Sequence, residues 1–123
     1  MDGRVVGWKL DAAEREVLLE AFPPRYAETD ADHVTLWSDP ERTRPLPTAI
    51  AGEIVGEADD GQGVQALVVS IRGGTERPDG GRYHVTWSLA PGRRAKESND
   101  VIARLGWRPL AEPRPISLRP ARF

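Results

Sequence analysis

Two copies of one tetrapeptide hold the only histidines of the chain: His33-Val34-Thr35-Leu36 and His84-Val85-Thr86-Trp87. Imidazole can take or give a proton near neutral pH, and a hydroxyl can hydrogen-bond an anion. In a strand, side chains two residues apart share a face. Each copy would therefore present one imidazole and one hydroxyl on one side. Val34 and Leu36, or Val85 and Trp87, would point to the other side. Two such strands side by side would surround one small anion with two imidazoles and two hydroxyls, and a phosphoester is the obvious candidate. A single His-Val-Thr is an ordinary half-buried strand; the repeat at the same offsets is what points to shared chemistry.

Other residues could assist. Nearly all the basic residues are arginines, and several cluster at Arg72, Arg77, Arg82, Arg93, Arg94 and Lys96. Arginine binds phosphate bidentately, so Arg72, Arg93 and Lys96 are candidates for holding flanking phosphates. Tyr26 and Trp37 could stack on a base. Trp37 shares the His33 face, whereas alternation turns Trp87 away from His84. Ser98 and Asn99 could border the site, although Ser98 also reads as a helix cap. The acids Glu28, Asp30 and Asp32 lack the glycine-centred spacing of a calcium loop, and no metal site is expected. Gly61-x-Gly63 and Gly73-Gly74-Thr75 read as turns, not as phosphate-binding loops.

The elements that must position these groups follow from the pattern. Arg4–Leu10 reads as a strand. Asp11 and Glu14 form a capping box for a helix that runs to about Phe22 and stops at Pro23-Pro24. Ala13, Val17, Leu18, Ala21 and Phe22 would make its apolar stripe. After a polar loop comes the first motif strand, His33–Trp37. Residues 49–57 and 64–72 read as a hairpin, with Ala58-Asp59-Asp60-Gly61-Gln62-Gly63 as its turn. The second motif strand spans Arg82–Leu89 after the turn Pro78-Asp79-Gly80-Gly81. Ser98–Arg104 forms a short helix that Gly106 ends, with Val101, Ile102 and Leu105 facing the core. In the proline-rich tail, Ile116–Leu118 would be an edge strand. The expected class is α+β, a mainly antiparallel sheet with one or two packed helices, in a single domain over residues 1–123.

Composition narrows the function. A chain of 123 residues with 39% hydrophobic and 29% charged residues is a globular domain with a modest core. The net charge of −2 gives no bulk attraction to nucleic acid, which leaves an RNA terminus open as a substrate. There is no cysteine, so thiolate nucleophiles and disulfides are excluded. No apolar run approaches transmembrane length, and Met1-Asp2-Gly3-Arg4 lacks a signal-peptide core. A cytoplasmic monomer without membrane contact is the expectation.

The paired motifs, together with Ala95-Lys96-Glu97-Ser98-Asn99, resemble the two-histidine (2H) phosphoesterase superfamily. The likeness is nearest to the cyclic phosphodiesterase domain of fungal-type tRNA ligases and covers roughly residues 33–104. The motifs lie closer together than in typical members, so part of the usual two-lobed scaffold must be trimmed or replaced. The resemblance implies a central cleft lined by both motif strands, with His33, His84, Thr35 and Thr86 as the catalytic set. It implies metal-independent hydrolysis, with no cofactor, of a 2′,3′-cyclic phosphate on an RNA end or small cyclic nucleotide, leaving a 2′-phosphate. Two alternatives remain. One is a 2H enzyme for another 2′-linked or cyclic nucleotide phosphate. The other is a non-catalytic module that binds an RNA end or nucleotide on the same fold.

Overall fold

The computed structural model describes residues 2–123. Strand β1 (Val5–Leu10) leads into helix α1 (Ala12–Ala21). The Asp11 carboxylate caps α1 by accepting from the Glu14 N–H at 3.0 Å. Glu14 does not return the bond as a capping box would; its carboxylate accepts from the Ser117 N–H at 2.6 Å and ties the helix to the C-terminal strand. The expected stripe of α1 holds only in part. Leu18 is buried and Phe22 packs edge-on against Trp87, but Val17 is 53% exposed. Ala13 and Ala21 are also exposed, while Leu19, off the stripe, packs on the core. With so few apolar residues, α1 packs apolar side chains on the core only near its C-terminal end, while Glu14 and Arg15 anchor its first half by hydrogen bonds.

The chain continues through β2 (Glu28–Thr29), β3 (His33–Ser38), β4 (Ala51–Asp59), β5 (Val64–Ser70), β6 (His84–Leu89), α2 (Glu97–Leu105) and β7 (Arg108–Arg122). Among the described residues these make an antiparallel sheet of seven strands, in the order β2-β6-β5-β4-β7-β1-β3, with two helices. The class is α+β, as the sequence pattern predicts. The two ends of the sheet meet. Residues 28–31 run along β6, with the Asp30 and Ala31 N–H groups bonding the carbonyls of Trp87 and Thr86. The next residues cross over, and β3 pairs instead with β1. Ala31 makes the crossing at φ +49°, an uncommon value for a residue with a Cβ. Arg15 of α1 clamps it by donating to the carbonyls of Ala31 and Asp30. The two motif strands are thereby brought together.

The tail is not a short edge strand. β7 spans fifteen residues inside the sheet despite its prolines. Residues 108–109 and 114–117 pair with β4, with a break between them, and residues 118–122 pair with β1. Each stretch of β7 thus has one ladder partner, and a residue without an N–H is tolerated wherever the other edge is open.

β5 is covered on both faces, as its apolar run predicts. Leu67 and Val69 join a core with Trp8, Leu18, Val34, Val85 and Trp87. Ala66 and Val68 join a second core under α2, with Val101 and Ile102. Leu105, expected inside, is 61% exposed at the frayed end of α2. Val34, Val85 and Trp87 all point into the first core, which turns the motif histidines and threonines the other way. Among the described residues, no helix is long and apolar enough to cross a membrane.

Candidate functional site

Both motif strands carry the same irregularity. In β3, Thr35 pairs with Gly7 and Trp37 with Val6, so Leu36 is an extra residue. In β6, Thr86 pairs with Ala66 and Ser88 with Gln65, so Trp87 is the extra residue. The fourth residue of each motif is therefore a bulge, which bends the strand directly after the threonine. At the first bulge the backbones approach closely: a Cβ on Gly7 would collide with the Val34 carbonyl oxygen.

His33, Thr35, His84 and Thr86 line one cavity of about 320 Å³, with Ser38, Arg77, Asp79, Lys96 and Asn99 completing its wall. The two rings are braced differently. His33 Nδ1 lies 3.1 Å from Asp32 Oδ2, which also accepts from Lys9 Nζ at 2.5 Å. Burial raises the Asp32 carboxyl, but the hydrogen bonds from Lys9 and His33 outweigh it and hold the group below its ordinary value. The His33 ring also rests against Phe123, with centroids 4.6 Å apart. His84 is 8% exposed, and its Nδ1 lies 2.9 Å from the Arg82 carbonyl. A carbonyl only accepts, so Nδ1 carries the proton and Nε2 is the acceptor of the neutral ring. Burial pushes the His84 pKa down; the Arg82 carbonyl opposes this, and the nearby Arg77 charge adds to it.

The two threonines also differ. Thr86 Oγ1 lies 3.2 Å from the Ala95 carbonyl and 2.9 Å from Ser98 Oγ, so its hydroxyl is tied to the start of α2. Ser98, expected as a cap, is fully buried and spends its hydroxyl on Thr86; Lys96 occupies the N-cap position without a side-chain bond. Thr35 Oγ1 makes no hydrogen bond within the described residues, which leaves it available to a ligand. The first N–H groups of α2 are occupied, since Glu97, Ser98 and Asn99 donate to the carbonyls of Arg94, Ala95 and Lys96. α2 accordingly offers the cavity the side chains of Lys96 and Asn99 rather than backbone donors.

Arg77 and Asp79 belong to the cavity and are absent from the sequence-based set. The Arg77 side chain is 10% exposed. Its Nε donates to Asp79 at 3.1 Å and one Nη2 hydrogen to Asn99 Oδ1 at 3.2 Å. The guanidinium lies against Gly81, where any Cβ would collide with it. No bond within the described residues uses Nη1, so this end of the fork remains for an anion. The turn signal Pro78-Asp79-Gly80-Gly81 sits beside Arg77, but nothing in the spacing links it to Asn99.

Four expected contributors lie elsewhere. Trp37 would share the His33 face in a regular strand; the bulge at Leu36 shifts the alternation, so Ser38 enters the cavity and Trp37 stacks under Arg44 at 3.7 Å. Tyr26 donates its hydroxyl to Asp59 at 2.6 Å, beside the β4–β5 turn. Arg72 donates to Thr48 and lines a separate cleft with Trp8 and Tyr83. Arg93 is consumed by Asp60, Glu97 and the Gln62 carbonyl. Among the described residues, no group of three or more His, Asp or Glu side chains could hold a metal ion. No family model, curated protein or solved structure matches the chain.

Proposed function

We propose that this protein is a phosphodiesterase that opens a 2′,3′-cyclic phosphate at an RNA end or small nucleotide by two-histidine acid–base catalysis. The observation that carries the reading is the convergence of His33, His84, Thr35 and Thr86 on one small cavity, each ring held from behind at Nδ1. The likeness of the paired motifs to 2H phosphoesterases points the same way.

The difference in bracing supports one division of roles. His84 is buried beside the Arg77 cation and favours its neutral form, with Nε2 as acceptor, which suits a general base. His33 has the Asp32 carboxylate behind it, the counter-ion that a proton donor needs. In the step, a water oxygen forms a bond to phosphorus and gives its proton to His84 Nε2. The bond from phosphorus to one ribose oxygen breaks, and that oxygen takes the proton of His33 Nε2. Thr35, Lys96 and the open end of Arg77 bind the non-bridging oxygens, where charge accumulates. Solvent exchange returns His84 to the neutral and His33 to the protonated state.

The test is turnover of adenosine 2′,3′-cyclic phosphate by the purified protein in excess chelator, followed by resolution of the 2′- and 3′-phosphate products. Hydrolysis that His33→Ala and His84→Ala each abolish is the expected result. Tight binding of the nucleotide without turnover would replace the enzyme with a binding module. Activity that returns only with added divalent metal would overturn the mechanism.

A further inference from the structure

A second cavity, of about 560 Å³, adjoins the two-histidine pocket and shares Arg77, Asp79, His84 and Asn99 with it. Its outer wall includes Trp107 and Arg82. The pocket of about 320 Å³ is at the small end of ligand sites and suits a phosphate with part of a sugar. The adjoining groove adds room for a further flat group.

Trp107 supplies the surface for one. It follows Gly106, which ends α2 at φ +71° and turns the chain back into the sheet. The Cδ1–Nε1 edge of the indole sits against the backbone of β4 at Gly56, where a Cβ would run into it. Over the ring, the Arg82 guanidinium lies 5.5 Å from the centre. The Arg44–Trp37 pair, by contrast, is closed at 3.7 Å. An indole seated by its edge, with a cation held off its ring and a groove beside it, is a stacking platform for a nucleobase. In-line opening requires only the leaving oxygen to face His33. The other ribose oxygen stays on phosphorus, and the sugar can pass over Asn99 into the groove.

We infer that the groove lined by Trp107 and Arg82 is the nucleobase subsite, binding the base of the nucleotide whose phosphate lies between His33 and His84. This rests on the reading of the two-histidine pocket as a phosphoester site.

The experiment compares adenosine 2′,3′-cyclic phosphate with the base-free analogue ribose 2′,3′-cyclic phosphate. Stacking is worth about 1–3 kcal/mol per base, so kcat/KM should favour the adenosine substrate by roughly tenfold to a hundredfold, mainly through KM. In Trp107→Ala that ratio should collapse toward one, and Trp107→Phe should restore most of it. A purely structural role for Trp107 would lower both substrates together and keep the ratio, which would overturn the subsite. Equal kcat/KM for the two substrates in the unaltered protein would also overturn it, while leaving the phosphodiesterase reading intact. A readout independent of turnover is quenching of tryptophan fluorescence by adenosine 2′-phosphate, expected in the unaltered protein and lost in Trp107→Phe. Quenching of this kind without hydrolysis of either substrate would support the subsite and refute the catalytic reading. Quenching unchanged by Trp107→Phe would count against the subsite.

Discussion

The hydroxyl oxygens of Thr86 and Ser98 lie 2.9 Å apart and join the second motif strand to the first turn of α2. Thr35, at the matching position of the first motif, has no such partner within the described residues. The two threonines, alike in sequence, therefore have different duties, and substitution should separate them. Thr86→Val leaves the buried Ser98 hydroxyl without its partner and removes one of the two donors to the Ala95 carbonyl, at a cost of about 1–3 kcal/mol. Thr35→Val should change stability by less than about 0.5 kcal/mol, as expected of a position with no internal bond to lose, while weakening phosphate binding. Denaturant melts of both variants, read beside KM on a cyclic phosphate, check this. Equal destabilisation would contradict the asymmetry.

Gly81 should act on the site without touching it. Its φ is not in the left-handed region, so alanine is acceptable to the backbone, yet a Cβ there displaces the Arg77 guanidinium. Gly81→Ala should raise KM for a cyclic phosphate by about tenfold, the value of one charge-assisted hydrogen bond at the low end of its range. Gly74→Ala, in open space, is the control and should leave KM unchanged. Similar kinetics for the two variants would remove Arg77 from phosphate binding.

His33→Ala and His84→Ala should each cost about 10²–10⁴ in turnover, as general acid–base groups do. The double variant should fall far short of the product of the two losses, because acid and base act as a unit. The pH profile should be bell-shaped, with apparent values that belong to the pair. Its acidic limb should lie below 6.5, since His84 must be neutral to act and its pKa is lowered by burial and by Arg77. An acidic limb above 6.5 would reverse the assignment of base and acid.

Stability should carry the same signature. A buried histidine whose folded pKa lies below its unfolded value takes up its proton on unfolding. The unfolded state then binds more protons as pH falls below 6.5, so the contribution of neutral His84 is intact above that pH and is lost progressively beneath it. The melting temperature should decline on acidification below 6.5, and His84→Gln should flatten that part of the decline. Asp32, held low by Lys9 and His33, adds a separate loss in the ordinary carboxylate range. A His84→Gln curve parallel to that of the unaltered protein between pH 6.5 and the onset of the carboxylate range would refute the linkage.

Local pattern carries the elements and the four central side chains. The Asp11 cap, the double proline after α1, the β4–β5 hairpin and the outward face of each His-x-Thr all follow from short-range rules and are present in the fold. What the pattern hides depends on partners distant in sequence. The prolines of β7 argue for an edge because nothing local reveals that the strand changes partner at Ser117. Trp37 is misread because strict alternation has no place for the extra residue opposite Gly7. Arg77 is one arginine among many until Asn99 and Gly81 fix its orientation. Trp107 is an isolated aromatic until Gly56 clears a seat for it.

The crossing at Ala31 has a mechanical consequence. The segment that hydrogen-bonds along β6 continues, within two residues, into the strand that carries His33. The two motif histidines are thus mounted on opposite sides of a single backbone junction, not on two lobes joined by a hinge. Drawing His33 away from His84 would require breaking main-chain bonds that Arg15 helps to lock. The two imidazoles are held as in a fixed vise rather than a jaw. A one-residue insertion after Ala31 would not widen the gap gradually; it would turn the imidazole toward the opposite face of the sheet in a single step.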